Sequence, residues 1–400
     1  MENKTLFGEL PLGWKHVALS DVTTFISRGR QPKYIASVEG IPVINQKMIR
    51  NLTIDYRYVK YNDAKKNINK SVFIKIGDTL VNSTGVGTVG RSAYISIDPM
   101  RPTFVDSHVT IVRPDTTIVD PKFMSVVLSS DVYSNYMGST LAQGSTGQVE
   151  LSRQKLSEMC IPFPPLNTQH LIGTIFDLID QKIKLNHQIN KNLLRLCRIQ
   201  FNRVKLACSS TTDLSNIAVL MMGQSPKGNT YNQKGEGTPL LNGAADFRGG
   251  INPSKYTSDP KKVTKPGDYV FGVRATIGLT TKVFGRYAIG RGTGLARSLK
   301  PESDELLYFI LEDSFDYFSH AATGSVYPNV SRKDFETYSS PAFSDNSQRV
   351  FHSFAAPLME KIYQDETQNK KLTQIRDILL PKLLSGSVDL SGIEEAMKNA

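Results

Sequence analysis

The sequence predicts an α+β protein: two strand-rich domains separated by two long helices packed as an antiparallel coiled coil, with an internal pseudo-two-fold repeat. Three observations point there. The stretch "ELSRQKLSEMCIP" at 150–162 returns as "NVSRKDFETYSSP" at 329–341, with serine, arginine and proline in step at an offset of 179. Segments on either side of it alternate apolar residues with Gly and Asp turns, the pattern of strands. After each copy comes a run of some forty residues almost free of glycine and proline. A period near 180 is the length of a domain and far too long for a solenoid unit, so the repeat is expected to build a pseudo-dimer within one chain.

The strand-rich parts repeat in the same order. "IGDTLVNSTGVGTVG" (76–90) answers to "PGDYVFGVRATIG" (266–278), and "GIPVIN" (40–45) to "GTPLLN" (237–242). Gly77-Asp78 and Gly267-Asp268 precede strands and are expected to be turn punctuation with no further chemistry. One helix is embedded in each part. The first opens at Asp120-Pro121, an N-cap followed by the residue favoured at the first helical position. The second runs through "SDELLYFILEDSFDYF".

The long runs predict helices over 167–206 and 346–386, leaving strand-rich domains at 1–166 and 207–345 and a tail at 387–400. Apolar residues recur at spacings of three and four: Ile172, Ile175, Ile179, Ile189, Leu193 and Leu196, with Phe351, Phe354, Leu358, Leu372, Ile375 and Leu379 in the other copy. That spacing predicts a coiled-coil seam. Lys182 and Asn186, and Lys361 and Asp365, interrupt it in the same register, either to fix register or to meet a partner protein. If an internal dyad relates the copies, the helices run antiparallel. Forty helical residues span roughly 60 Å, so the expected architecture is two heads on a stiff spacer.

Net charge is +11, and it is unevenly spread: +5 over 1–166 and +5 over 167–206, against +1 over 212–345. A basic surplus suits a polyanion such as DNA, although solubility alone also explains surface charge. Cys160, Cys197 and Cys208 have no metal-ligand spacing and are expected to be free thiols. The sequence contains no 18-residue apolar run. A soluble, cytoplasmic protein that does not meet a membrane is expected. Catalytic constellations are missing. No GxxxxGK[ST] loop, HExxH pair, GxSxG elbow or Asn-Pro-Pro-aromatic tetrapeptide occurs, so the chain is expected to catalyse nothing alone and to bind no cofactor or metal.

The order "LPLGW" (10–14), Gly-Asp before a strand, "GSTGQVELSRQKLSEMCIPFPPLNTQ" (144–169) and then a long helix resembles the specificity subunit of type I restriction–modification systems. The second copy, "SPAFSDNSQ", keeps Pro341 and Gln348 and loses the double proline. The resemblance covers essentially the whole chain. It implies two target recognition domains that each read one half of a split site in double-stranded DNA. It also implies helices that act as ruler and docking surface for type I methyltransferase and restriction subunits. S-adenosylmethionine, ATP and magnesium would be used by those partners.

Residues that read DNA are expected in loops that do not repeat. In the first head these are Arg28, Arg30 and Lys33, then Asn45, Gln46 and Lys47, then Gln143, Ser145 and Gln148. In the second they are Gln224, Lys227, Asn242, Arg248, Arg274, Arg291 and Tyr327. Arginine pairs with guanine edges and asparagine or glutamine with adenine, while many such side chains contact only phosphate. Two rival readings stand beside this one: a scaffold whose heads bind proteins, and an enzyme with a diverged motif.

Overall fold

The computed structural model describes residues 4–50, 52–144, 149–273, 278–321 and 330–388. The chain forms two compact units, residues 1–184 with 369–400 and residues 185–368. Both cuts fall inside the long helices, Leu166–Leu206 and Asp345–Leu384. Each unit therefore holds one strand-rich head, the start of the helix that follows that head, and the end of the other helix.

The two heads share one topology. In the first, an antiparallel sheet runs Ser92–Tyr94, Thr79–Asn82, Val109–Pro114, Thr23–Arg28. A second sheet runs Phe104–Val105, Ile41–Ile44, Lys60–Asn62, Tyr34–Ile35. Its outer pair, Phe104–Val105 on Ile41–Ile44, is parallel. In the second head the order is Thr280–Lys282, Tyr269–Gly272, Thr293–Ser298, Ala218–Met222, and then Ala288–Ile289, Thr238–Leu241, Lys255–Thr257, Tyr231–Asn232, with Ala288–Ile289 again parallel. The two sheets of each head meet at a glycine. A Cβ on Gly29 would lie 1.8 Å from the carbonyl oxygen of Val105, and one on Gly223 2.1 Å from that of Gly290. Only glycine lets the strand end pass that close.

The repeated thirteen-residue stretch proves to be a capped helical turn followed by a strand. Ser152 and Ser331 cap Arg153–Ser157 and Arg332–Glu336. Cys160–Phe163 then pairs with Lys15–Ala18, and Ser339–Pro341 with Thr211–Asp213, which closes each head on a strand near its own start. The embedded helix of the first head begins as expected, with Asp120 accepting from the Phe123 amide at 2.7 Å and Pro121 in the first turn. Its counterpart is Asp304–Ala321.

The Gly-Asp pairs do more than turn the chain. Gly77 and Gly267 sit at φ of 90° and 94°, as turns require. Asp78, however, is fully buried, and both its oxygens accept from Arg113, Nε at 2.7 Å and the terminal nitrogen at 2.8 Å. Asp268 is equally buried and takes Arg297 in the same two-point way, at 2.6 and 2.7 Å. Each aspartate also accepts a backbone amide three residues earlier, Lys75 or Lys265, at 2.8 Å. A planar guanidinium matches a carboxylate in this geometry, and the pair clips the strand carrying the arginine to the turn before its neighbour.

One glutamine at the 179 offset joins each head to its helix. Gln169 is fully buried; its Oε1 accepts the Asp120 amide at 3.0 Å and its Nε2 donates to the Pro164 carbonyl at 2.9 Å. Gln348 accepts from Ser303 Oγ at 2.7 Å and donates to the Phe343 carbonyl at 2.8 Å. The second copy keeps this joint without the double proline. Gly173 completes the first joint, since a Cβ there would stand 2.5 Å from Asp120 Oδ1.

The helices bury a stripe shifted from the expected seam. Ile172, Phe176, Asn186, Asn190, Cys197 and Phe201 are buried, as are Phe351, Ala355, Ile362, Asp365 and Asn369. Phe354, Leu196 and Ile375 are instead exposed, by 39%, 49% and 51%. Spacings of three and four fit two neighbouring registers, and the buried one is masked in the sequence by its polar members. Within the first unit, Ile172 and Phe176 join the head's core together with Leu380, Leu383 and Leu384. Within the second, Asn186 Nδ2 donates to Gln368 at 2.8 Å, Asn190 approaches Asp365 at 3.1 Å, and the Phe201 and Phe351 rings lie 6.1 Å apart. Rising numbers on one segment meet falling numbers on the other, so these segments are antiparallel.

Replacing Asp78 by alanine strands a guanidinium that is largely shielded from water. We expect a loss of about 3–5 kcal/mol in urea unfolding, with most of it recovered when Arg113 is also replaced by methionine. Equal losses in the single and double variants would show that the ion pair is not what holds the strand.

Candidate nucleic-acid interface

In each head the parallel strand pair points two chain segments the same way, so the loops that follow leave side by side. In the first head these are 45–48 and 106–108. Asn45 is buried; its Nδ2 donates to the Tyr58 carbonyl at 3.0 Å and its Oδ1 accepts the Lys47 amide at 3.0 Å. It shapes the turn and presents Gln46 and Lys47 outward. Asp106 does the same for its loop, accepting the His108 amide at 2.9 Å. Burial pushes its carboxyl above the usual carboxylate range. Tyr34 lies beside it with its hydroxyl 3.4 Å from Asp106, and burial and that carboxylate push the phenol up to about 12. The two loops are tied by Thr84, whose Oγ1 donates to Gln46 Oε1 at 3.0 Å and stands 2.8 Å from His108 Nδ1.

Beside them opens a cleft of about 730 Å³ lined by Gly29, Arg30, Gln31, Lys66, Asn67 and Ser107 among others. Ser107 donates to Gln31 Oε1 at 2.9 Å, and Lys66 to the Gln31 carbonyl at 2.6 Å. Most residues of its lining carry polar side chains, with Arg30 and Lys66 as cations, which suits phosphate oxygens and base edges.

The sequence-expected residues divide by what already engages them. Arg30, Lys47 and Gln143 are exposed. Lys33 is exposed and paired with Asp63 at 2.9 Å. Arg28 is held inward by Glu150 at 2.7 Å and the Leu151 carbonyl at 2.6 Å, so it anchors residues 150–151 instead of reaching out. Ser145 and Gln148 lie outside the described residues, as do Arg274 and Tyr327. In the second head the loops 242–244 and 290–292 occupy the places of 45–47 and 106–108. Gln224 is drawn beside them by its amide bond to the Ile289 carbonyl at 2.9 Å, and Arg291 Nε donates to Ser225 at 3.1 Å. Asn242 is exposed, with its amide donating to Asp246 at 2.8 Å. Lys227 and Arg248 are exposed and lie outside this core.

Sequence reasoning missed Thr84, Ser107, His108, Lys66 and Asn67. The usable signal was the strand "FV" (Phe104–Val105), whose parallel pairing with "IPVI" places 106–108 next to 45–47, but pairing partners are not written in a single sequence. Among the described residues, no helix is long and apolar enough to cross a membrane.

Comparison with known proteins bears on this arrangement. Residues 11–195 match the type I restriction modification DNA specificity domain. A protein of Methanocaldococcus jannaschii assigned to the type I restriction enzyme MjaX as its specificity subunit is 25% identical, with 96% of each chain covered. The specificity subunit of the type I restriction enzyme HindI from Haemophilus influenzae is 20% identical over 94% of this chain and 99% of that one. The crystal structure of a type I restriction–modification S subunit from M. genitalium superposes with a TM-score of 0.59 at 17% identity, covering 96% and 99% of the two chains, and so shares the fold. Residues 11–195 thus match the DNA specificity domain of type I restriction–modification systems, and along nearly its whole length the chain is similar to their specificity subunits.

Proposed function

We propose that this chain is the DNA sequence-recognition subunit of a type I restriction–modification complex, with residues 1–166 reading one half of a split site and 207–345 the other. The observation that carries this reading is the duplicated frame with unduplicated loop tips. The same strand order, the same buried Asp–Arg clip and the same glutamine joint recur, while the paired loops hold Gln46, Lys47 and His108 in one head and Asn242 and Arg291 in the other. Two equivalent readers of different sequences need that combination. The +5 charge of the first head supports a phosphate-driven share of binding. Replacing 207–345 by the same segment of a relative should change one half of the motif found by methylome sequencing; both halves changing together would overturn the assignment.

The chain contributes recognition and docking, and the chemistry belongs to methyltransferase and restriction subunits using S-adenosylmethionine, ATP and magnesium. Purified alone, it should transfer no methyl group to DNA whatever cofactors are supplied, and robust methylation by the lone chain would defeat that division of labour.

Docking of the methyltransferase subunit is placed on the outer helix faces. Leu196 and Ile199 are 49% and 58% exposed, and their counterparts at the 179 offset, Ile375 and Ile378, are 51% and 59% exposed. An apolar pair duplicated in this way suits two copies of one partner. Changing Leu196 and Ile199 to serine should leave one methyltransferase subunit bound per chain in native mass spectrometry. Changing all four should leave none, while two copies retained would place docking elsewhere.

A further inference from the structure

We infer that Gln46, Thr84 and His108 form a guanine-reading element of the first head, in which Thr84 sets which base Gln46 accepts. This rests on the reading of the chain as a DNA-recognition subunit. The three side chains come from three separate loops and meet in one hydrogen-bonded line: His108 Nδ1 at 2.8 Å from Thr84 Oγ1, and Thr84 Oγ1 donating to Gln46 Oε1 at 3.0 Å. With its hydroxyl proton directed at Gln46, Thr84 accepts from His108 Nδ1–H, which leaves His108 Nε2 as an acceptor. The backbone beneath is held as well, since Asn82 Nδ2 donates to the Gln46 carbonyl at 3.1 Å and Asp106 accepts the His108 amide at 2.9 Å.

The direction of that line has a consequence for base choice. A glutamine reads adenine with both ends of its amide, Oε1 accepting from N6 and Nε2 donating to N7. Here Thr84 occupies one of the two Oε1 lone pairs and orients the amide, so what Gln46 offers foremost is the pair of Nε2 protons. Guanine presents two adjacent acceptors, O6 and N7, in the major groove and is the base edge that suits such a donor pair.

The second head supports the assignment by contrast. Strand register places Gly243 at the position of Gln46 and Gly292 at that of His108, counting from the pairs Val105↔Ile44 and Ile289↔Leu241. The frame has no need of these side chains, so their presence in the first head is tied to what that head reads.

The test uses the full chain assembled with its methyltransferase subunits, with a randomised first half-site and selection by binding. Wild type should require guanine at one position of that half-site. Gln46→Ala should relax that position by about fivefold or more, the size of one base-edge contact. Thr84→Val, which keeps shape and removes the hydroxyl, should shift preference at the same position from guanine toward adenine, and Thr84→Ser should restore guanine. Unchanged preference for the second half-site in each variant serves as the control for folding. The inference is overturned if Gln46→Ala leaves every position of the half-site as selective as before, or if Thr84→Val lowers affinity alike for all sequences. A wild-type assembly with no sequence preference at all would instead overturn the recognition reading, and this inference with it.

Discussion

Everything this chain does as a two-headed molecule passes through a matched pair of carboxamides, Gln169 fully buried and Gln348 half-buried. Gln169 and Gln348 each stand in the first turn of a long helix, accept a hydrogen bond from the start of the embedded helix of their own head, and donate to a carbonyl five residues back. A carboxamide suits this position because it offers an acceptor and two donors without a charge, so it satisfies one donor and one acceptor at once: two backbone groups at Gln169, a serine hydroxyl and a carbonyl at Gln348. A leucine of similar size would leave those groups without partners. A glutamate at Gln169 would bring a charge into a fully buried site. The first joint is tightened by His170, whose Nδ1 lies 2.8 Å from Asp120, and the second by His352, 2.6 Å from Glu305. The position of a reading surface along DNA can be set by a helix only if the joint between the two does not yield.

Within the heads a second constraint separates frame from reader. The Asp78–Arg113 and Asp268–Arg297 clips lie inside, with the aspartates fully buried, and they hold the central strands in register. A buried ion pair is not a cheap way to gain stability, because desolvation offsets most of the attraction. What it does supply is geometry: a bidentate pair admits one alignment of two strands, where packed aliphatic side chains tolerate several. With the frame defined from within, the loop tips after the parallel strands are free to vary. In the first head they carry Gln46 and His108, joined through Thr84 from a third loop. In the second, glycines take two of those positions and Arg291 stands at the neighbouring one.

Buried Asn186, Asn190 and Asp365 mark a third division, between apolar packing near the heads and polar packing away from them. Lys361 reaches Asp365 at 2.5 Å, and Asn186 and Gln368 pair their amides at 2.8 Å. Polar groups in a helix interface cost stability and reward one register over its neighbours, because any slip leaves them unpaired. Of the two roles that the sequence left open for these interruptions, the contacts of Asn186 and Asp365 fit the register role. Lys182 is exposed and does not share it.

The sequence by itself determined the duplication, the helix positions and the strand-rich character of both heads, because these follow from local propensity and from an offset that can be counted. Asp120-Pro121 opened a helix as its chemistry requires, and Gln169 and Gln348 were visible as a matched pair before their role was. What only the tertiary structure decided is which residues face which. Leu196 and Ile375 have the spacing of a buried seam and lie outside, because the polar residues of the true stripe hid it from a reading that counts apolar side chains. Asp78 and Asp268 looked like turn residues because their arginine partners stand 35 and 29 positions away. The candidate reading surface was legible as three loops, but not as one site: Asn45 and Arg28 turned out to be engaged within the fold, and Thr84 and His108 entered through a parallel strand pairing. Local physics is written along the chain, whereas long-range hydrogen bonds are chosen only when the folded backbone brings donor and acceptor together.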